Sequence, residues 1–187
     1  AAYTFVDKAE TEKEEANLLN NLAVKNIAEI AKDNKIKLIH ISTDYVFDGL
    51  KFESYDETDN TSPLNVYGKS KRDGENSILS IMDFNATIIR TSWVYSLYGN
   101  NFVDSILKLC KKQDKLSVVS DQIGSPTNAN DLASAVISII NSKIFSETVQ
   151  LSGIFHYSNG GECSWYDFAK EIGNFDAKSF RHYGGDD

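Results

Sequence analysis

Lys37-Leu38-Ile39-His40-Ile41-Ser42 runs directly into Thr43-Asp44-Tyr45-Val46-Phe47-Asp48-Gly49. The first half is an apolar run without strict alternation, which is how a strand reads when a parallel sheet is covered on both faces. The second half turns polar at once and sets a hydroxyl and a carboxylate at the strand's carboxyl end. In open α/β sheets, ligands bind at that end. His40, inside the apolar run, reads as a hydrogen-bonded core histidine more readily than as a catalyst.

Upstream, Leu18, Leu22, Ile27, Ile30 and Ala31 recur at helical spacing between Glu10 and Asp33. Downstream, residues 44–64 are polar, with turn signals at Asp48-Gly49 and Ser62-Pro63. They form a surface excursion of the kind that carries function. A helix is expected from Val66 to Met82, although Gly68 and Gly74 lower its intrinsic propensity. Gly68 there implies close approach by another part of the chain. Ala86-Thr87-Ile88-Ile89-Arg90 reads as the next buried strand. Helices follow at Phe102 to Lys112 and Asn130 to Ile140, with strands at Leu116 to Val119 and Ile154 to Tyr157. Ser164 and Asp167 have the spacing of a capping box at the start of a helix reaching Ile172. After Gly173 no pattern is legible. Alternating strands and helices imply an α/β fold around a parallel sheet.

Composition narrows the function classes. The 187 residues are 41% hydrophobic and 25% charged, as in an ordinary soluble domain. A formal charge of -8 argues against a nucleic-acid partner, which requires basic patches to displace counterions. Cys110 and Cys163 are too few for a disulfide framework, and a reducing cytoplasm is the simplest reading. The three histidines have no metal-ligand spacing, so no metal is expected. The longest apolar stretch, around Leu132 to Ile140, is too short to cross a bilayer, and no membrane partner is expected.

The chemistry gathers around Asn65-Val66-Tyr67-Gly68-Lys69-Ser70-Lys71. Tyr67 and Lys71 lie four apart and share a helix face. A cation beside a phenol favours the phenolate and lowers its pKa, which casts Tyr67 as a proton donor to a carbonyl undergoing reduction. Three loops follow expected strand ends: Thr43-Asp44-Tyr45, Thr91-Ser92-Trp93 and the glycine-rich turn after Tyr157. A hydroxyl, a phenol-ammonium pair and an indole are therefore expected at one rim.

Several blocks, in order, resemble the dTDP-4-dehydrorhamnose reductases, a family of extended short-chain dehydrogenase/reductases. They are Ala1-Ala2-Tyr3-Thr4 with Val6-Asp7-Lys8-Ala9-Glu10, then Ser42 to Gly49, Pro63 to Lys71 and Arg90-Thr91-Ser92-Trp93-Val94-Tyr95. Asp121-Gln122-Ile123-Gly124-Ser125-Pro126-Thr127 and Gly161-Glu162-Cys163-Ser164-Trp165-Tyr166 complete the set. The resemblance implies a Rossmann-type parallel sheet with a small substrate-binding lobe. It implies reduction of the C4 ketone of a dTDP-linked 4-dehydro-6-deoxy sugar by NADPH or NADH. By motif, Tyr67 is the proton donor and Lys71 its partner, also holding the nicotinamide ribose, while Thr43 tunes the proton transfer. Val6, Thr43, Asp44 and Trp93 are expected on the nucleotide-sugar substrate, and Ala2, Tyr3 and Thr4 against the cofactor. The nucleotide-binding part is expected over 1–95 and 128–158, and the lobe over 96–127 and 159–187. A homodimer is compatible with the resemblance.

Two departures qualify it. The Gly-x-x-Gly-x-x-Gly turn that seats the pyrophosphate on a helix N-terminus is not in these residues, and Gly173 to Asp187 does not show the family's closing pattern. The chain therefore reads as an internal fragment whose first strands are missing, expected to bind dinucleotide weakly and to have little activity alone. Two rivals stay open. A sugar epimerase or dehydratase shares Tyr67 and Lys71, but no Glu follows Asp44 to make the Thr-Asp-Glu of a dehydratase. A non-catalytic regulatory subunit of the same fold has no need of an intact Thr43, Tyr67 and Lys71 set.

Overall fold

Apolar strands alternate with amphipathic helices along the chain, as the pattern requires. The computed structural model describes residues 2–113, 115–148, 151–174 and 179–183. It begins with α1 (Val6–Ala9), α2 (Lys13–Asn17), a π-helical turn (Leu18–Leu22) and α3 (Ala23–Asp33). Then come β1 (Leu38–Thr43), a 3-10 turn (Asp44–Val46), α4 (Val66–Ile81), β2 (Ala86–Thr91), β3 (Val94–Tyr95) and α5 (Phe102–Cys110). β4 (Lys115–Val119), β5 (Ile123–Gly124), β6 (Thr127–Asn128), α6 (Ala129–Asn141) and α7 (Lys143–Glu147) follow. The last elements are β7 (Gly153–His156), β8 (Cys163–Ser164), α8 (Trp165–Asn174) and β9 (Ser179–Tyr183).

The chain divides into two compact units, the first made of Ala1–Thr91 and Val136–Tyr157. Its sheet is parallel, in the order β1-β2-β7. Leu38 pairs with Ala86 and Thr43 with Thr91, so β1 and β2 end level with each other. β2 is the central strand and every residue in it is buried, which accounts for its unbroken apolar reading. Val24, Ala28 and Ala31 of α3, Ile78 of α4, and Met82, Ala86 and Ile88 form the core, with Leu38 and Ile154 packed against it.

The helical spacing read between Glu10 and Asp33 is realised in α2, the π-helical turn and α3, yet Leu18, Leu22, Ile27 and Ile30 are 44–62% exposed. The buried face instead carries Ala16, Asn20, Val24, Ala28 and Ala31. These small residues admit close packing of α4, whose Gly74 lies directly against the Asn20 carbonyl.

The second unit comprises Ser92–Ala135 and Ser158–Asp187. It is built on strand pairs: β3 with β6 and β4 with β9 in parallel, β5 with β8 antiparallel. Ile106, Cys110, Leu116, Val118, Ala169 and Ile172 form its core. The capping box forms as spaced: the Asp167 amide donates to Ser164 Oγ at 3.0 Å, and the Ser164 amide to Asp167 Oδ2 at 3.2 Å. β9 lies where no pattern was legible, since strand preference depends on pairing partners more than on the residues alone. Ala1, 175–178 and the closing residues 184–187 lie outside the described residues.

Candidate active site

Thr43 is the last residue of β1 and is buried. Its Oγ1 accepts from the Tyr45 amide at 3.2 Å and donates to Asp44 Oδ1 at 3.1 Å, which starts the 3-10 turn. That turn brings the Tyr45 carbonyl onto α4 at Gly68, where any Cβ would fall well inside contact distance of the oxygen. The close approach implied by Gly68 is therefore made by Tyr45. Asn65 caps the helix by accepting from the Gly68 amide at 2.7 Å, and Glu10 accepts from the Val66 amide at 2.8 Å. Tyr67 is thus held in the first turn of α4, edge-on to Tyr45 with ring centroids 5.6 Å apart. The Thr43 side chain acts on its phenol, favouring the charged form.

The electrostatics differ from the expectation for Tyr67. Burial is the largest influence and pushes the phenol pKa up; Thr43 pulls it down, while Asp44 and Tyr45 add to the rise. Lys71 is not among the influences that set it. Lys71 Nζ donates to the Ile41 carbonyl at 2.7 Å and lies 3.4 Å from His40 Nε2. Lys71 is 3% exposed, and burial lowers its pKa to about 8 against the opposing pull of Glu75. Asp44 moves the other way. Burial raises its carboxyl to about 6, opposed by hydrogen bonds from Thr43 and from its own and the Tyr45 amides.

The opening loop is fastened to the same helix. Asn20, fully buried in the π-helical turn, accepts from the Tyr3 amide at 2.9 Å. Its Nδ2 donates to the Tyr3 carbonyl and to Ser70 Oγ, both at 3.0 Å. Tyr3 is buried, and its hydroxyl donates to Glu12 at 2.5 Å. Burial and that carboxylate push its pKa to about 12. Ala2 and Thr4 on either side are exposed, and Val6 is half-buried at the start of α1. Sequence reasoning missed Asn20 and Ser70. A signal existed for Asn20, which interrupts the Ala16-Val24-Ala28 stripe with an amide.

The remaining predicted residue, Trp93, belongs to the second unit. It adopts a left-handed backbone, φ 47°, a conformation of the kind that recurs at ligand sites. Its indole stacks on Trp165, with centroids 3.5 Å apart and planes inclined by 11°. Gly124 leaves room for it, since a Cβ there would meet the Trp93 ring at 2.5 Å. Ser92 Oγ donates to the Ser125 carbonyl at 2.6 Å and Ser125 Oγ to the Gly161 carbonyl at 2.8 Å. The Asp121 to Thr127 block therefore builds the seat of an aromatic side chain. Ser125, to which the sequence assigned no role, ties that seat together.

Known proteins share this architecture. A dTDP-4-dehydrorhamnose reductase of Sinorhizobium fredii is 50% identical over 172 residues, which are 92% of this chain and 58% of the relative. One from Aggregatibacter actinomycetemcomitans is 48% identical with the same coverage. The crystal structure of dTDP-4-dehydrorhamnose reductase from Bacillus anthracis in complex with NADP superposes with a TM-score of 0.88 at 41% identity. That match covers 98% of this chain and 63% of the solved one. A dTDP-glucose 4,6-dehydratase from Streptomyces venezuelae, 15% identical with a TM-score of 0.81, shares the Rossmann-type fold alone. The chain thus spans about three-fifths of the length of these relatives. Residues 1–181 match the RmlD substrate binding domain, and the chain belongs to that family.

Proposed function

We propose that this chain serves NADPH- or NADH-dependent reduction of the C4 ketone of dTDP-4-dehydro-L-rhamnose to dTDP-L-rhamnose. The observation that carries the reading is the meeting of β1 and α4, where Thr43 closes the strand, Tyr67 opens the helix and Lys71 Nζ donates to the Ile41 carbonyl. Relatives at 50% and 48% identity bearing the reductase name support it.

Tyr67 donates its proton to the C4 oxygen. The raised pKa keeps that proton on the phenol until an alkoxide, a far stronger base, develops beside it. Thr43 hydrogen-bonds either the phenol or the C4 oxygen; its one proton, held on Asp44 Oδ1 before substrate arrives, turns toward the charge that forms. Asp44 and Val6 contact the sugar. The nicotinamide, when bound, supplies the hydride. Lys71 suits its ribose: an ammonium has three donors, and the Ile41 carbonyl takes one. Ala2 and Thr4, exposed beside the anchored Tyr3, offer backbone to the cofactor. The setting is a reducing cytoplasm, which suits the free thiols of Cys110 and Cys163. Among the described residues, no helix is long and apolar enough to cross a membrane.

The test is oxidation of NADPH by the 4-keto sugar in the protein that carries these residues. Tyr67→Phe is expected to lower kcat by ~10²–10⁴-fold with the circular dichroism spectrum unchanged. Full turnover in that variant would remove Tyr67 from the mechanism.

A further inference from the structure

His40 has no part in the mechanism above, yet it contacts the one cation that does. We propose that His40 is a positioning residue for Lys71: its Nε2 accepts one ammonium N–H, the Ile41 carbonyl accepts a second, and the third is left with a fixed direction for a ligand. The role rests on the reading in which Lys71 serves the reducing site.

The geometry comes from two adjacent residues of one strand. Successive side chains on a strand point to opposite faces. Leu38 packs on the core cluster that contains Ile78 of α4, so His40, two residues on, faces the same helix. Ile41, next along, contributes only its carbonyl, 2.7 Å from Lys71 Nζ. His40 Nε2 lies 3.4 Å from the same nitrogen. With Lys71 almost wholly buried, these two acceptors decide where the tetrahedral ammonium points.

An imidazole is suited to this place because it is uncharged there. Burial, then the Lys71 charge, lower the His40 pKa to about 3. At neutral pH the ring therefore has a free lone pair, and the contact requires it on Nε2 with the proton on Nδ1. A carboxylate in its place would raise the lysine's proton affinity sharply. A neutral acceptor orients the ammonium and leaves its pKa near working pH. The other charged group acting on Lys71 is Glu75, one helical turn along α4. Its carboxylate is shared with Arg90 of β2 through bonds of 3.0 and 2.7 Å. Tyr67, on the same helix face, is neutral. A lysine ordered before binding loses less side-chain entropy when the ligand arrives, so His40 acts first on ligand affinity.

Nitrogen NMR of the full-length protein that carries these residues tests the proposal without any catalytic assay. The imidazole shifts of His40 report its tautomer in the wild-type protein: Nδ1–H is expected, and Nε2–H overturns the proposal. The Lys71 Nζ resonance reports the ammonium titration in the variants. His40→Leu removes an acceptor that favours the charged form, and should lower the proton affinity of Lys71 by about threefold or more. His40→Gln, which keeps an acceptor, should restore it. An unchanged Lys71 midpoint in folded His40→Leu also overturns the proposal. Should His40→Leu fail to fold, the wild-type tautomer decides. An absence of NADPH oxidation by the full-length protein that carries these residues would sink the reductase reading instead and leave the NMR result standing.

Discussion

Asp44 sits in an environment that works against its own charge. Its folded pKa, about 6, lies above the ordinary 3.8. A raised acid contributes stability that is present below the unfolded value and lost as pH rises through the folded one. At pH 7 the half-buried carboxylate therefore costs up to about 2–3 kcal/mol, less what solvent screens. Asp44→Asn keeps the shape without the charge. It should be more stable than the parent at pH 7 in urea unfolding, with the lead shrinking as pH falls from about 6 toward 3.8. A lead of constant size across that range would contradict the assignment. The same substitution should raise the KM for the nucleotide sugar, a trade of affinity for stability. Tyr67 shows why the motif alone misled on electrostatics. Four-residue spacing is shared by all Tyr-x-x-x-Lys helices, but burial sets the direction of the phenol's pKa, with Thr43 opposing it and Asp44 and Tyr45 adding to it.

At the scale of elements, α4 is the organiser of the first unit, and its two glycines are what let it be. Gly68 and Gly74 each meet a backbone carbonyl, from Tyr45 and Asn20. In a solvent-exposed helix, Gly→Ala gains about 1 kcal/mol from propensity. Here the methyl would collide with backbone that cannot rotate away. Gly68→Ala should therefore be net destabilising, by about 1–3 kcal/mol, and should displace Thr43 and Tyr67 together. Urea midpoints and kcat for the 4-keto sugar check both parts, and a stabilised, fully active variant would refute them. Asn20→Ala strips partners from the buried Tyr3 amide and from Ser70. About 1–3 kcal/mol per orphaned group is the expected cost, read as a lower urea midpoint. The unusual residues of α4 were visible in the sequence, as a helix with two glycines. What they accommodate was not, because Tyr45 and Asn20 reach them through space.

For the whole molecule, stability should follow pH in a way that sums opposing groups. His40 has a folded pKa of about 3 against an ordinary 6.5. The unfolded chain binds more protons between those values, so this contribution falls as pH drops through the window. Asp44 opposes it between about 3.8 and 6. His40→Gln should flatten the acid side of the stability profile, and Asp44→Asn should steepen it. Lys71, depressed to about 8, makes stability rise with pH from there toward 10.5. Urea midpoints from pH 4 to 10 test all three signs. Arg90 and Glu75 tie the central strand to α4 by a buried bidentate ion pair. Glu75→Gln leaves the guanidinium buried without its counter-charge and should cost about 3–5 kcal/mol. Replacing both partners by apolar residues of similar volume should cost far less. A single variant as mild as the double one would show that the pair does not couple.

The order of strands and helices, the polar rim after β1 and the Tyr67-Lys71 face are properties of short windows. Periodicity and turn chemistry act over a few residues, so the chain spells them out locally. Tertiary structure alone decided which helical face is buried, where Lys71 spends its donors, what Gly68 and Gly124 make room for, and that β9 is a strand. Each of these depends on burial or on partners distant along the chain, and no local window contains them. The sequence by itself determined which chemical groups are present and in what order; their protonation and direction came from the fold.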